Sequence, residues 1–130
     1  MKIAVGTDDL NAIRSGHFGE SRFFKIFTVE NGQIMTQEIR ENPFIVSQGE
    51  GHEHGQAKNI MQLLKDCDVF LARSMGMHSI PKLVEKGKKP MLTRINRIDE
   101  AISRLLSEQY GDFKCFNTQG MKFMPCAGGL

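Results

Sequence analysis

The feature that most constrains the fold is a short apolar segment in mid-chain, Asp68 to Ala72 (DVFLA), flanked by two helix-like stretches. A continuous apolar run of this length is typical of a strand that is covered on both faces. Gln56 to Asp66 before it has apolar residues at helical spacing, and Ser79 to Lys86 after it begins with a capping serine. A strand between two helices predicts βα crossovers and a mostly parallel sheet.

A β-hairpin is predicted nearer the N-terminus. Arg22 to Glu30 is rich in aromatic and β-branched residues, and Asn31-Gly32 follows it. This dipeptide suits the turn that needs positive φ at both central positions. Gln33 to Glu41 is more polar, as expected of a strand at the sheet edge.

Two further strands and a last helix complete the prediction. Lys2 to Gly6 and Pro90 to Thr93 are short apolar segments, and Asn96 is expected to cap a helix with one apolar stripe. The predicted order is βββαβαβα. We therefore expect an α/β fold with a mixed, mostly parallel five-stranded sheet and helices on both faces.

Composition excludes some classes of protein. Apolar residues make up 40% and charged residues 25% of the 130, and no apolar run approaches the ~18 residues of a membrane span. The N-terminal apolar run is too short for a signal peptide, so we expect a cytoplasmic location. The net charge is +2, with ten basic against six acidic residues after residue 66. This excess could serve an acidic partner, although a solvated lysine face is the commoner explanation. We predict neither a membrane nor a nucleic-acid partner.

The C-terminal residues 109–130 are aromatic but have no clear period. They are expected to pack on the core or to dock on a partner protein. Cys67, Cys115 and Cys126 form no CxxC pair, so they are expected as thiols, ligands or core residues rather than as a disulfide. Cys67, just before the apolar strand, is predicted to lie in the core.

The histidines cluster at one predicted edge of the sheet. Segments 7–21, 42–55, 73–78 and 94–97 follow the parallel strands and leave the sheet at the same edge, where open α/β sheets bind ligands. All four histidines lie in these segments: His17, His52, His54 and His78. This edge is therefore the predicted ligand site.

His17 is the best candidate ligand within this edge. It is bracketed by Gly16 and Gly19 in a GHFG turn, where glycines let the backbone bend and approach a ligand. Imidazole is a good ligand for iron and other transition metals. The alternative is a turn whose histidine is merely exposed.

Two other stretches at this edge can assist. His52 and His54 would point the same way on an extended segment, although a flexible loop with incidental histidines explains them equally well. In the turn of residues 73–78, backbone amides, Arg73 and Gly76 could hold an anionic group. Met75 and His78 are possible further ligands there, and packing is the commoner role for a methionine.

No enzyme is predicted. Asp8 and Asp9 follow the first strand without another carboxylate clearly beside them, and no nucleophile with a histidine partner is evident. A nuclease would need a carboxylate cluster that the sequence does not offer.

The order of motifs is similar to that of a known family. MKIAVGTDD, SGHFGESRFF, a strand ending in RENP, LLKDCDVFLARSMG and KKPMLT occur in that order over about residues 1–108. This resembles the dinitrogenase iron–molybdenum cofactor biosynthesis family, which includes NifX-like proteins and the C-terminal domain of many NifB proteins. The tail 109–130 lies outside the resemblance.

The resemblance implies a ribonuclease-H-like three-layer fold and a role in binding or carrying iron–sulfur or iron–molybdenum clusters. Its GHFG turn corresponds to Gly16, His17, Phe18 and Gly19, its His/Gly-rich loop to residues 49–55, and its GMG turn to Ser74-Met75-Gly76. Here a serine replaces the first glycine of that turn. The implied partners are proteins that donate or accept the cluster, with the chain a monomer or small homo-oligomer.

Two functional hypotheses remain at this point. The first is a metallocluster-binding protein with His17 as principal ligand and His52, His54 and possibly His78 assisting. The second is a metal-free interaction module that uses the aromatic tail and the basic face.

Overall fold

Seven strands and three helices build the molecule in the computed structural model, which describes residues 1–44, 54–76 and 79–126. The strands are β1 Lys2–Thr7, β2 Phe23–Glu30, β3 Gln33–Glu41, β4 Val69–Ala72, β5 Lys89–Thr93, β6 Phe113–Asn117 and β7 Lys122–Pro125. The helices are α1 His54–Leu63, α2 Ser79–Glu85 and α3 Ile98–Leu106, and a single 3-10 turn covers Phe18–Glu20. No helix in the described ranges is both long and apolar enough to cross a membrane.

The strands form one mixed sheet in the order β3-β2-β1-β4-β5-β6-β7. β1, β4 and β5 are parallel neighbours, and β2 is antiparallel to both β1 and β3. The predicted hairpin is confirmed: Asn31 and Gly32 both have positive φ, 54° and 75°. β3 lies at the sheet edge, as its polar composition predicted.

Helices cover both faces of the sheet, as predicted. α3 packs its buried stripe of Ile98, Ala101, Ile102 and Leu105 on one face, against side chains such as Ile3 and Leu71. α1 and α2 cover the opposite face, where Phe24 and Phe70 are buried. Burial on both faces explains the continuous apolar run of β4, whose four residues are all buried.

The prediction of a mostly parallel, five-stranded sheet was wrong: the tail adds two strands, and among the described residues four of the six pairs of neighbouring strands are antiparallel. β6 pairs antiparallel with β5, and β7 pairs antiparallel with β6. Phe113 is buried in the core, and the rings of Phe116 and Phe123 lie edge to face with centroids 5.2 Å apart. The tail aromatics therefore pack within the fold, which weakens the idea that they are displayed to a partner.

The expectation of free thiols in the tail was also wrong. Cys115 and Cys126 form a disulfide, with Cα atoms 5.0 Å apart. The β6–β7 hairpin pairs Cys115 with Met124, two residues before Cys126, and so makes the two cysteines diagonal neighbours. Their spacing carries no such information until the hairpin is known. Cys67 is fully buried in the core, as predicted, and burial raises the pKa of its thiol to about 11.

The start of α3 differs from the prediction as well. Arg97, not Asn96, occupies the cap position, and its side chain makes no capping hydrogen bond. The carbonyl of Asn96 instead accepts a hydrogen bond from the Ile13 N–H at 2.7 Å, and the Ile98 N–H donates to the Asn11 carbonyl at 2.9 Å. The segment before α3 is therefore held by the loop that follows β1.

Candidate functional site

Three of the segments that follow the parallel strands meet at one edge of the sheet. His17 and Ser74 form a parallel β-bridge, in which the Phe18 N–H donates to the Ser74 carbonyl at 3.1 Å. Ala12 and Arg97 form a second, antiparallel bridge. The loop after β1 thus contacts the turns after both β4 and β5, as the strand order predicted.

The loop after β1 is also attached to the end of β3. The side-chain amide of Asn42 is buried and donates to the carbonyl oxygens of Gly19 at 3.1 Å and Ser21 at 2.8 Å. Segment 42–44 therefore joins the same edge. Residues 45–53, which include His52 and most of the His/Gly-rich loop, lie outside the described residues.

The backbone of His17 is held by Arg14, a residue that the sequence analysis missed. Arg14 Nε donates to the His17 carbonyl at 3.1 Å, while its guanidinium pairs with Asp8 at 2.6 Å and Glu20 at 3.5 Å. The partner of Asp8 is thus a cation rather than a second carboxylate. The signal was a basic residue six positions later in the same loop.

The two central residues of the GHFG turn have different roles. Phe18 is buried and its ring lies 5.1 Å from that of Phe24 and 5.2 Å from that of Phe70. The His17 side chain is exposed. The aromatic ring therefore anchors the turn on the core, and the imidazole is left accessible to a ligand.

The glycines of this edge do not use positive φ. Positive φ among the described glycines occurs at Gly32 and Gly87, so Gly16, Gly19 and Gly76 adopt backbone angles open to any residue. A Cβ would meet ordinary contacts at Gly19 and Gly76, 3.9 Å and 3.7 Å from the nearest atom. At Gly16 a Cβ would lie only 3.1 Å from Arg14 Nη2. None of these three positions requires an unusual turn, contrary to the expected reason for the glycines.

A close backbone approach does occur, at Gly6 at the end of β1. A Cβ there would lie 2.2 Å from Ser21 Oγ, a hydroxyl that donates to the Phe18 carbonyl at 2.7 Å. The absence of a side chain at Gly6 therefore lets the GHFG turn lie directly on β1. The sequence alone indicates Gly6 only as the end of the first strand, not as a point of close contact.

The turn after β4 contains one buried and one exposed side chain. Met75 is 9% exposed and belongs to the apolar cluster beneath α1 and α2, an environment that favours packing over metal ligation. Arg73 is exposed at the same edge. It can reach a ligand without breaking any hydrogen bond or ion pair that the described residues make.

The remaining histidines are placed less fully. His54 begins α1, so it is not on the extended segment that was expected, and its side chain is not described. His78 lies outside the described residues, as does His52. Within the described part of the chain, no three His, Cys, Asp or Glu side chains form a group that could hold a metal.

Asp9, the other acidic residue of this loop, has a structural role. Its carboxylate accepts hydrogen bonds from the backbone N–H groups of Ala12 and Asn11, at 2.8 Å and 2.9 Å. These bonds hold the pKa of the carboxyl below its usual range. An ionised, locally bonded carboxylate stabilises the loop and is poorly suited to donating a proton.

Comparisons with known proteins agree on one family and one fold. The model of the dinitrogenase iron–molybdenum cofactor family matches residues 1–108. No curated protein matches the chain significantly. The apo form of the orange protein from Desulfovibrio gigas is similar in structure, with a TM-score of 0.67 at 20% identity over 98% of this chain and 93% of its own.

Two further structures are similar. A dinitrogenase candidate from Methanocaldococcus jannaschii has a TM-score of 0.62 at 15% identity, covering 84% of this chain and 90% of its own. A NifB candidate from Thermotoga has a TM-score of 0.58 at 19% identity, covering 83% and 89%. At these identities the similarity establishes the fold alone. The family match, which spans most of the chain, establishes that the protein belongs to the dinitrogenase iron–molybdenum cofactor family.

Proposed function

We propose that this protein binds and carries an iron–sulfur or iron–molybdenum type metallocluster, or a precursor of one, at the edge where the loops after β1 and β4 meet. The observation that carries the proposal is the bridge between His17 and Ser74. It holds an exposed imidazole next to the turn that contains Gly76, in a chain that belongs to a cofactor family. The cluster is cargo rather than a catalytic group, so no reaction is assigned.

His17 is the principal ligand in this proposal. A neutral imidazole nitrogen binds iron well, and a single exposed ligand suits cargo that must be handed on. Gly16, Gly19 and Gly76 line the proposed approach, and a Cβ at Gly19 or Gly76 would make only ordinary contacts. Phe18 fixes the turn by packing on the core.

Auxiliary groups complete the proposed site. Arg73 would attract an anionic cluster, and Met75 would support the turn from the core. His52, His54 and His78 would supply further imidazoles. Cytoplasmic proteins that donate or accept the cluster are the proposed partners, with the chain a monomer or small homo-oligomer.

The test is anaerobic loading with two kinds of cargo: iron plus sulfide, and preassembled cofactor extracted from nitrogenase. Wild type is expected to retain one of them in stoichiometric amount by metal analysis and visible absorption. His17→Ala should lose it, and the double variant His52→Ala/His54→Ala should lose only part. Ser15→Ala is the matched control, because it changes an exposed residue of the same loop without removing a ligand.

Two additional readouts separate ligation from loop structure. Since a metal takes the neutral imidazole, protons compete with it, and retention should fall as the pH is lowered. Added imidazole should restore binding to His17→Gly but not to a variant that merely distorts the loop. The proposal fails if wild type takes up neither cargo, or if His17→Ala retains it fully.

A further inference from the structure

A basic cavity lies beside the carboxyl ends of β4 and β5, next to the tail hairpin. Its volume is about 440 Å³, within the range of small-molecule sites. It is lined by Arg73, Leu92, Thr93, Arg94, Gly111, Asp112, Phe113, Lys114 and Pro125. Residues 109–130, which lie outside the family match, therefore supply about half of the residues that line the cavity.

Three positive charges in this cavity have no anionic partner in the described ranges. Arg73, Arg94 and Lys114 make no ion pair or side-chain hydrogen bond there, although Arg14, Arg40 and Arg104 all do. The carboxylate in the lining, Asp112, is already paired with Arg104 outside the cavity. The cavity therefore carries an uncompensated positive charge.

The strand register explains why these cations are close. Leu92 pairs with Ala72 on one side and with Lys114 on the other, so the three lie in one row across β4, β5 and β6. Arg73 directly follows Ala72, and Arg94 comes two residues after Leu92. Arg73 and Arg94 therefore follow the ends of neighbouring strands about 4.8 Å apart, with Lys114 on the next strand, and all three line the one cavity.

Thr93 and Asp112 are polar, but other parts of the lining are apolar. Leu92 and Pro125 both pair with Lys114 in the strand register, so their side chains share its face of the sheet, whereas Phe113 is buried in the core with α3. Apolar walls lower the local dielectric and strengthen the attraction of the cations for an anion. They also favour a ligand that has an apolar body as well as charge.

We propose that this cavity binds a small organic phosphate: a dianionic phosphate group held by Arg73, Arg94 and Lys114, with an apolar or ring-shaped body against Leu92 and Pro125. Guanidinium groups match the geometry of phosphate oxygens, and a lysine adds a further charge. The site is independent of the proposed metallocluster function. Its lining shares only Arg73 with the cluster edge, so the tests use Arg94 and Lys114.

The test titrates ¹⁵N-labelled protein with three probes: phenyl phosphate, inorganic phosphate and benzyl alcohol. Phenyl phosphate is expected to shift the amide signals of Gly111 and Lys114 and to bind most tightly, because it alone offers both charge and a ring. Inorganic phosphate should bind more weakly, and benzyl alcohol should not bind measurably. Added salt should weaken both phosphates.

The double variant Arg94→Gln/Lys114→Gln should lose at least about tenfold in affinity for phenyl phosphate, since it removes two charge-assisted contacts. Lys58→Gln/Lys86→Gln is the control, because it removes the same charge from exposed residues elsewhere. Circular dichroism checks that both variants fold, which is expected since Arg94 and Lys114 are exposed and unpaired in the described structure.

Several results would overturn the proposal. One is an affinity for phenyl phosphate that is unchanged in the cavity variant, and another is an equal loss in the control, which would indicate general electrostatic attraction. Equal affinity for inorganic phosphate and phenyl phosphate would show that the cavity does not recognise an organic body, which contradicts the proposal. None of these outcomes depends on iron or sulfide, so failure here is distinguishable from failure of the cluster proposal.

Discussion

A β-hairpin lies at each side edge of the sheet, and the two hairpins are stabilised in different ways. The β2–β3 hairpin has strands of eight and nine residues and a long pairing ladder. The β6–β7 hairpin has strands of only five and four residues, and a disulfide links its two sides. A long ladder needs no covalent link, whereas the short one gains stability from a bond that restricts the unfolded chain.

The two hairpins also differ in whether their charged side chains form ion pairs. On β3, Arg40 is paired with Glu38 and Asp66, both at 2.8 Å, and Asp66 also binds Lys2 at 3.0 Å. On β6, Lys114 has no ion-pair partner among the described residues and faces the basic cavity. The first hairpin uses its charges for stability, and the second leaves its charges available to a ligand.

The largest expected effect comes from breaking the disulfide. The Cys115→Ser/Cys126→Ser variant, or reduction by a dithiol, should lower the free energy of unfolding by about 3 kcal/mol, because a separation of 11 residues closes a short loop. Urea denaturation measures the loss. Hydrogen exchange should quicken in β6 and β7 while β2 and β3 keep their protection.

The control for this experiment is the double serine variant itself, whose stability should not respond to the dithiol. Loss of protection in both hairpins at once would mean that they do not differ as described. An unchanged unfolding midpoint of the reduced wild type would show that the bond contributes no stability.

Substitutions in the turns of the two hairpins should change stability by a smaller amount, and in opposite directions. Gly32 has φ 75°, so Gly32→Ala should cost about 1 kcal/mol. In the tail, the left-handed position is held by Met121 at φ 54°, and Met121→Gly should relieve that strain and raise stability by a few tenths of a kcal/mol. Thermal unfolding of each variant measures both changes.

Gly120→Ala is the matched control for the turns. Gly120 lies next to Met121 but has no positive φ, and an added Cβ would be 3.6 Å from Lys122. Little change in stability is expected. If Gly120→Ala were as damaging as Gly32→Ala, the turns would not differ in the way that their φ angles indicate.

The ion pairs of the first hairpin give an effect that depends on pH. Hydrogen bonds from Arg40, and then from Lys2, hold the pKa of Asp66 well below its usual range. A carboxyl with a lowered pKa in the folded state stabilises the protein above its unfolded pKa of ~4 and loses that contribution as the pH falls. Asp66→Asn should therefore cost about 1 kcal/mol at pH 7, since the pair is partly exposed.

Urea denaturation at pH 7 and at about pH 3 checks this prediction. The difference between wild type and Asp66→Asn should shrink at the lower pH. Glu30→Gln is the control, since Glu30 is an exposed carboxylate on the same hairpin with no ion-pair partner among the described residues. A pH-independent cost would point to packing at Asp66 rather than to its charge.

The two hairpins also differ in how far the sequence could predict them. Asn31-Gly32 between two patterned strands identified the first hairpin directly. The tail turn has Met121 in its left-handed position, and its short strands have no clear period, so no local signal distinguished it from a loop. Its strands form because β5 offers a free edge, which only the tertiary structure reveals. The ribonuclease-H-like assignment stays a prediction.

The candidate site was predictable in outline. Strand order alone placed the loop of His17 beside the turn of Ser74, because parallel strands end at one edge. The roles of Gly6 and Arg14 depend on contacts between distant segments and on backbone placement, which periodicity does not encode. The ligand roles of His17, His52, His54 and His78 stay predictions.

The burial of Cys67 has a practical consequence for the tail. Its side chain is fully inaccessible and its thiol has a pKa of about 11, so it should react very slowly with alkylating reagents at neutral pH. Cys115 and Cys126 are the other two cysteines of the chain. A maleimide dye added to the native protein would therefore label the reduced hairpin alone, and its fluorescence would report the redox state of that one bond.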